Sequence, residues 1–214
     1  MRTTYTAKEA YYTLQGEGAQ TGRAAVFFRF TGCNLWTGLE RDRHKATCQF
    51  CDTDFVGING EGGGKFKSPE AVADHVQAIW ESRASGGTPY VICTGGEPLL
   101  QLNDPLIAEF HNRGFEIGVE TNGTISAPEG LDWICVSPKA NAKVLQTSGN
   151  EIKLVYPQVL ARPEKFIDMD FEHFFLQPMD GPEFAQNVEA TKEYCMKNPK
   201  WRLSLQTHKM IGLP

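Results

Sequence analysis

Short β-branched and aromatic runs, each closed by a polar or glycine turn, constrain this chain more than any other feature. Such runs lie at 25–30 (AVFFRF), 90–93 (YVIC), 115–119, 133–136, 152–155 and 174–176, with a last short one at 203–205. They are followed by Thr94-Gly95-Gly96, Glu120-Thr121-Asn122-Gly123, Ser137-Pro138-Lys139, Tyr156-Pro157 and Gln177-Pro178-Met179-Asp180. Helical patterns fall between several of them. Ser68 is an N-cap with Pro69 at the first helical position and Glu70 in the first turn; Val72, Val76, Ile79 and Trp80 then recur at helical spacing to about Ser82. A second helix covers 104–113, with Leu106, Ile107 and Phe110 as its stripe and Gly114 as its stop, and a third covers 184–198, before Pro199. Alternating strands and helices predict a parallel sheet with helical crossovers, and the helices are too few for every crossover to contain one. The glycine-rich stretch 57–67 reads as a mobile linker.

In a parallel β/α barrel the C-terminal strand ends form one rim, where ligands bind. The polar residues after the runs, Glu120, Thr121, Asn122, Ser137, Lys139, Gln177 and Asp180 among them, would therefore face one site. A chain of 214 residues fits a single domain spanning 1–214 and needs no disulfide to hold a core. Its formal charge of −5 argues against nucleic acid as a partner, because phosphate contacts need a basic footprint. No apolar run approaches the ~20 residues of a membrane span. The N-terminal MRTTYTAKEAYY has no apolar segment of the secretory type. A cytoplasmic location is expected, with the six cysteines kept reduced.

Two nucleotide-binding leads close quickly. Gly64-Lys65 lacks the Gly (Asn59 stands there) and the Ser or Thr (Phe66) that a phosphate loop requires. Gly16-Glu17-Gly18 has Thr21 at the third glycine of a dinucleotide fingerprint, and no strand is clearly placed before it.

Cys33, Cys48 and Cys51 follow the first buried run directly. Three thiolates in one loop can hold a soft metal or an iron–sulfur cluster, and three ligands on a 4Fe–4S cluster leave one iron open. His44 lies between Cys33 and Cys48, so a closed Cys₃His zinc site fits the same residues. Cys93, Cys135 and Cys195 fall in strands or an apolar helix and read as small core residues. Thr94-Gly95-Gly96-Glu97-Pro98 lets a ligand approach backbone, and the Glu97 carboxylate can receive an ammonium group.

Cys48-x-aromatic-Cys51 after one strand and Gly95-Gly96-Glu97-Pro98 after the next resemble the radical S-adenosylmethionine superfamily. The superfamily's usual first spacing is three residues; here fourteen, 34–47, separate Cys33 from Cys48. This insert is polar and charged in its second half and reads as a loop that lengthens the excursion without moving the ligands. Within the superfamily the chain is similar, over nearly its whole length, to the 7-carboxy-7-deazaguanine synthase family. Leu14-Gln15-Gly16-Glu17-Gly18, Phe28-Arg29-Phe30-Thr31-Gly32-Cys33, Cys51-Asp52-Thr53, Glu120-Thr121-Asn122-Gly123, Ser137-Pro138-Lys139 and Gln206-Thr207-His208-Lys209 carry that likeness.

The resemblance implies a partial (β/α)6 TIM-like barrel with reduced helices, an N-terminal substrate-binding segment and the long cluster loop. It implies a lyase of queuosine biosynthesis that contracts 6-carboxytetrahydropterin to 7-carboxy-7-deazaguanine and releases ammonia. The implied cofactors are a 4Fe–4S cluster on Cys33, Cys48 and Cys51, S-adenosylmethionine, and Mg²⁺ on Thr53. S-adenosylmethionine would be surrounded by Thr94, Gly95, Gly96, Glu97, Ser137, Pro138, Lys139, Gln177, Pro178, Met179 and Asp180. The pterin would meet Leu14, Gln15, Gly16, Glu17, Arg29, Thr94, His208 and Pro214, the last through a C-terminal tail folded over the rim. Gln15 and Glu17 suit the alternating pyrimidine edge, and Arg29 suits the carboxylate. An electron donor such as flavodoxin and a symmetric homodimer complete the expectation. A glycyl-radical-enzyme activase and a non-enzymatic zinc-stabilised binding module remain the rival readings.

Overall fold

A computed structural model describes residues 4–214; Met1, Arg2 and Thr3 lie outside the described residues. Strand β1 (Tyr5–Leu14) runs antiparallel to β2 (Ala24–Phe30), and the short β3 (Gly64–Phe66) joins its other edge, also antiparallel. From β2 the sheet continues in parallel through β4 (Tyr90–Gly95), β5 (Glu116–Thr121), β6 (Trp133–Val136), β7 (Ser148–Tyr156), β8 (Asp170–Pro178) and β9 (Arg202–Leu203). The order β3-β1-β2-β4-β5-β6-β7-β8-β9 leaves β3 and β9 as free edges, so the barrel is partial.

Helices are few, as the sequence requires. Helix α1 (Pro69–Glu81) starts at Ser68, whose hydroxyl accepts from the Ala71 N–H at 3.2 Å; loss of such a cap costs about 1 kcal/mol. Helix α1 buries Val72, Ala73, Val76 and Trp80, and α2 (Asp104–Asn112) buries Leu106, Ile107 and Phe110 in the same outer core. Helix α3 (Phe184–Lys197) buries only Asn187 and Thr191 fully and lays Tyr194 and Cys195 against a second core under β7 and β8. The β5–β6 and β6–β7 crossovers are loops, and β7–β8 passes through a single 3-10 turn, Pro163–Lys165. A short helix, α4 (Thr207–Met210), follows β9.

Period-two alternation decides what reaches the barrel interior. On β2, Phe28 and Phe30 join the outer core with Val91 and Cys93 of β4, whereas Ala25 and Phe27 pack with Tyr90 and Ile92 on the opposite face. On β7, Ile152 and Leu154 enter the second core, and Lys153 between them takes the other face.

Three expectations are corrected. A ten-residue strand, β1, does precede Gly16; its Lys, Glu and Ala content masks a strand that is paired on both edges. The dinucleotide lead stays closed, because a three-residue 3-10 turn, Gly18–Gln20, follows where a helix is required. Residues 57–67 are no mobile linker: the Gly60 N–H donates to Lys8 O at 2.9 Å, Glu61 O accepts from the Ala10 N–H at 2.7 Å, and the stretch ends as β3. Cys93 and Cys135 are core residues as expected, but Cys195 is only half-buried because α3 is mostly exposed.

Candidate active site

The parallel strands deliver their C-terminal ends to one cavity of about 570 Å³. Arg29 arrives from β2, Thr94, Gly95 and Gly96 from β4, and Glu120, Thr121 and Asn122 from β5. Ser137 and Lys139 follow β6, Lys153 lies on β7, and Gln177, Pro178, Met179 and Asp180 close β8. Cys48, Cys51 and Thr53 of the cysteine loop line the same space, as do Leu14, Gln15, Glu17, His208 and Pro214.

Two of the cysteine sulfurs form one hydrogen-bonded unit. Cys48 donates to Cys51, which lowers the Cys51 pKa to about 6 and raises that of Cys48. Cys33 faces both electrostatically; burial raises its pKa, and the backbone N–H groups of Leu35 and Trp36 oppose this by donating to its sulfur. Among the described residues no group of three or more His, Cys, Asp or Glu side chains is drawn together as for a single ion. Fit to an iron–sulfur group therefore rests on donor chemistry: three soft sulfurs, N–H donors turned onto one of them, and a nearby ammonium, Lys139. The buried Trp36 Nε1, without a hydrogen-bond partner among the described residues, lies in the same loop. His44 is exposed and lines no part of the cavity.

Residues 34–47 do more than lengthen the loop, which corrects the expectation from their polarity. Trp36, Ala46 and Phe55 form a small core on which Cys33 and Cys51 pack. Trp36 meets Phe55 edge-on at 5.7 Å. Arg43 Nη1 donates to the carbonyls of Gln49 (2.8 Å) and Cys51 (3.0 Å). Asn34 accepts from Asn122 at 3.0 Å and donates to Thr124 at 2.7 Å, tying the insert to the end of β5.

Glu97 is not placed to receive a ligand's ammonium group. It is fully buried, lines no part of the cavity, and accepts from the N–H groups of Leu99 (3.0 Å) and Asn122 (2.8 Å) and from the Thr121 hydroxyl (2.8 Å). Its carboxylate fixes the β5 turn instead. Cys33, Pro138 and Gly16 also stand outside the lining. Gly16 serves the C-terminal segment instead. Its carbonyl accepts from the Thr207 N–H (2.9 Å) and hydroxyl (3.0 Å), and a Cβ there would collide with the His208 ring. This close approach seats the segment against the rim. The last residue packs back against the strand end, with the Thr13 hydroxyl donating to Pro214 O at 3.5 Å. At Gly95, φ is +146°, a conformation that favours glycine, and the turn carries the Glu97 N–H to Gly32 O at 2.9 Å, beside Cys33.

Glu17 and Arg29 are held, not free. Burial pushes the Glu17 carboxyl up, but Lys153, Gln206 and His208 bring it down to about 2. Arg29 donates from Nε to Glu9 at 2.7 Å and from Nη2 to the Tyr11 hydroxyl at 3.3 Å. Lys209 bridges Asp52 (3.1 Å), next to Cys51, and Asp180 (2.5 Å) at the end of β8. Residue patterns alone do not single out Lys153, Glu9, Tyr11, Asp52 or Lys209 as parts of the site. For Lys153 a signal exists: one lysine alternating with Ile152 and Leu154 in an otherwise apolar run.

Comparisons with known proteins agree with this architecture. The family model "Radical SAM superfamily" matches residues 44–148, which include Cys48, Cys51 and the Thr94–Glu97 turn but not Cys33. The chain is 61% identical to a 7-carboxy-7-deazaguanine synthase of Caulobacter vibrioides, over 99% of this chain and 100% of the relative. It is 52% identical to one of Burkholderia multivorans, over 99% and 100%. The crystal structure of QueE from Escherichia coli superposes with a TM-score of 0.66 at 26% identity, covering 94% of this chain and 93% of that one.

Proposed function

The chain belongs to the family of 7-carboxy-7-deazaguanine synthases, and on that premise we propose that its cavity contracts 6-carboxy-5,6,7,8-tetrahydropterin to 7-carboxy-7-deazaguanine. Ammonia is released, which makes the enzyme a carbon–nitrogen lyase. The observation that carries this reading is the meeting, in one cavity, of the cysteine loop with Gln15, Glu17 and Arg29.

As a radical S-adenosylmethionine enzyme the chain takes a 4Fe–4S cluster and S-adenosylmethionine. Together, when bound, they supply a carbon-centred radical able to remove a hydrogen from the substrate. The residues of this chain do the rest. Cys33, Cys48 and Cys51 hold the cluster. Gly95 and Gly96 present backbone to the cofactor, their missing Cβ atoms leaving room for the Phe30 and Gly32 carbonyls behind them, and Ser137, Lys139, Gln177 and Asp180 offer it polar contacts. Gln15 and Glu17 address the pyrimidine edge of the pterin. Arg29 addresses its carboxylate with Nη1, which neither Glu9 nor Tyr11 occupies. The segment from Thr207 to Pro214 shields the reacting atoms from water. Thr53, which lines the cavity, would offer its hydroxyl to a Mg²⁺ ion, with substrate oxygens and water needed to complete the shell. An electron donor such as flavodoxin, a symmetric homodimer and a cytoplasmic location complete the reading. Two open sheet edges support the dimer. The location is supported by six free cysteines and by the lack, among the described residues, of any helix long and apolar enough to cross a membrane.

Anaerobic reconstitution tests the proposal. About four iron per chain, the complement of one such cluster, and pterin-dependent formation of 7-carboxy-7-deazaguanine are expected. A colourless protein with one zinc, or S-adenosylmethionine cleavage that requires a partner protein and ignores the pterin, would overturn it.

A further inference from the structure

Lys153 is buried in the barrel interior, with only 4% of its side chain exposed. Its ammonium pairs with Glu17 Oε2 at 2.8 Å and Glu120 Oε2 at 2.9 Å. Each carboxylate passes the constraint on. Glu120 Oε1 accepts from Gln15 Nε2 at 3.2 Å, and Gln15 Oε1 accepts from the Glu17 N–H at 3.1 Å, which fixes which end of the Gln15 amide is the donor. Glu17 Oε1 accepts from Gln177 (3.1 Å) and Gln206 (2.8 Å). A carboxylate has about four acceptor sites. Three of those on Glu17 are taken, and the fourth, on Oε2, is the one left for a ligand N–H. A second buried carboxylate, Glu151, accepts from the Ala19 N–H at 2.8 Å and from the Cys135 thiol at 3.5 Å, so it does not compete for the same ammonium through a direct pair.

We propose that Lys153 is the positioning residue of the pterin subsite, holding Glu17 directly and Gln15 through Glu120 in one preset pattern of acceptor and donor. This rests on the assignment of Gln15 and Glu17 to the pterin. A free carboxylate in a polar cavity would rotate and would meet the ligand in several geometries. Pinned at three sites, it presents one lone pair, and the cost of ordering it falls in folding and not in binding. The preset pattern selects a heterocycle edge with adjacent N–H donors and a carbonyl acceptor, which the pyrimidine half of a pterin offers. The same lysine balances the two carboxylates, which would otherwise repel each other across the site.

Lys153→Met and Lys153→Arg are the test, with Glu120→Gln as a third variant that leaves the lysine in place should Lys153→Met fail to fold. Pterin affinity is read by equilibrium dialysis, S-adenosylmethionine affinity and iron content on the same samples, folding by thermal melting, and steady-state rates by KM and kcat. Lys153→Met should weaken pterin binding at least tenfold and raise KM more than it lowers kcat, with iron and S-adenosylmethionine binding retained. Lys153→Arg should recover most of the loss, and Glu120→Gln should weaken pterin binding several-fold. Unchanged pterin affinity in folded Lys153→Met or in Glu120→Gln, or an equal fall in S-adenosylmethionine binding, overturns the positioning role. Wild-type protein that binds no pterin overturns instead the assignment on which it rests.

Discussion

Arg43 holds its guanidinium 4.2 Å from the centre of the Trp36 ring while donating to the Cys51 carbonyl, so the insert between the first two cysteines is fastened to the third. Glu40 grips the other edge of the same guanidinium at 2.5 and 2.7 Å. Arg43→Ala removes the stack and both carbonyl bonds. It should lower iron content in anaerobic reconstitution and broaden the electron paramagnetic signal of the reduced cluster. Cutting 34–47 to three residues should do the same more severely. A shortened variant that retains full iron would return the insert to the status of a passive loop.

His44 and Cys48 separate cluster from zinc. His44 is exposed on the 3-10 turn Glu40–Lys45, away from the cavity. His44→Ala should leave metal content unchanged, whereas Cys48→Ala should abolish an intact cluster. Equal loss of metal in both variants, with zinc in the wild type, would favour a Cys₃His site.

Glu17 makes the protein sensitive to acid in a defined window. Its carboxyl titrates at about 2 in the folded chain against an ordinary 4.5. A lowered folded pKa contributes stability that is present above the unfolded value and is lost as the pH falls through the folded one. The stability difference between wild type and Glu17→Gln should therefore shrink between pH 4.5 and 2. Glu97 and Glu151, raised by burial, push the other way in both proteins and cancel in the comparison. Denaturant melts at several pH values read this directly, and a difference constant across the window would mean that Glu17 is not held as an anion by Lys153.

Much of the rim was legible because the barrel repeats one rule: an apolar run, then a polar turn at its C-terminal end. That rule placed Thr94, Glu120, Ser137, Lys139 and Gln177 around one cavity. It misassigned Glu97, because residue type alone does not distinguish a carboxylate that faces a ligand from one that caps the Thr121–Asn122 turn. Strand β1 was hidden because Ala, Lys and Glu disfavour strands locally, and the partner on one of its edges, β3, lies far along the chain. Trp36 gave no periodic signal. Its partner Phe55 lies beyond the third cysteine, and their contact exists only once the loop closes.

Arg29 remains the sharpest test of how the substrate sits. An interior arginine needs an anion, and the fold already supplies one, Glu9, at 2.7 Å. That pair uses Nε, and Tyr11 uses one hydrogen of Nη2. Of five guanidinium donors, the two on Nη1 and one on Nη2 have no partner in these bonds, so the end of the fork can still clamp a carboxylate. Arg29→Lys keeps the charge but not that fork, and a lysine that pairs with Glu9 has no second arm in fixed geometry. Pterin binding should weaken by about 1.5–3 kcal/mol, the range for a hydrogen bond to a charged group. Iron content and S-adenosylmethionine affinity should be retained. Glu9→Gln separates the two roles of the arginine: it should loosen Arg29 and weaken pterin binding less than Arg29→Lys does. If pterin affinity holds in Arg29→Lys while S-adenosylmethionine binding or iron falls, the arginine belongs to the cofactor side of the cavity and the carboxylate of the substrate is held elsewhere.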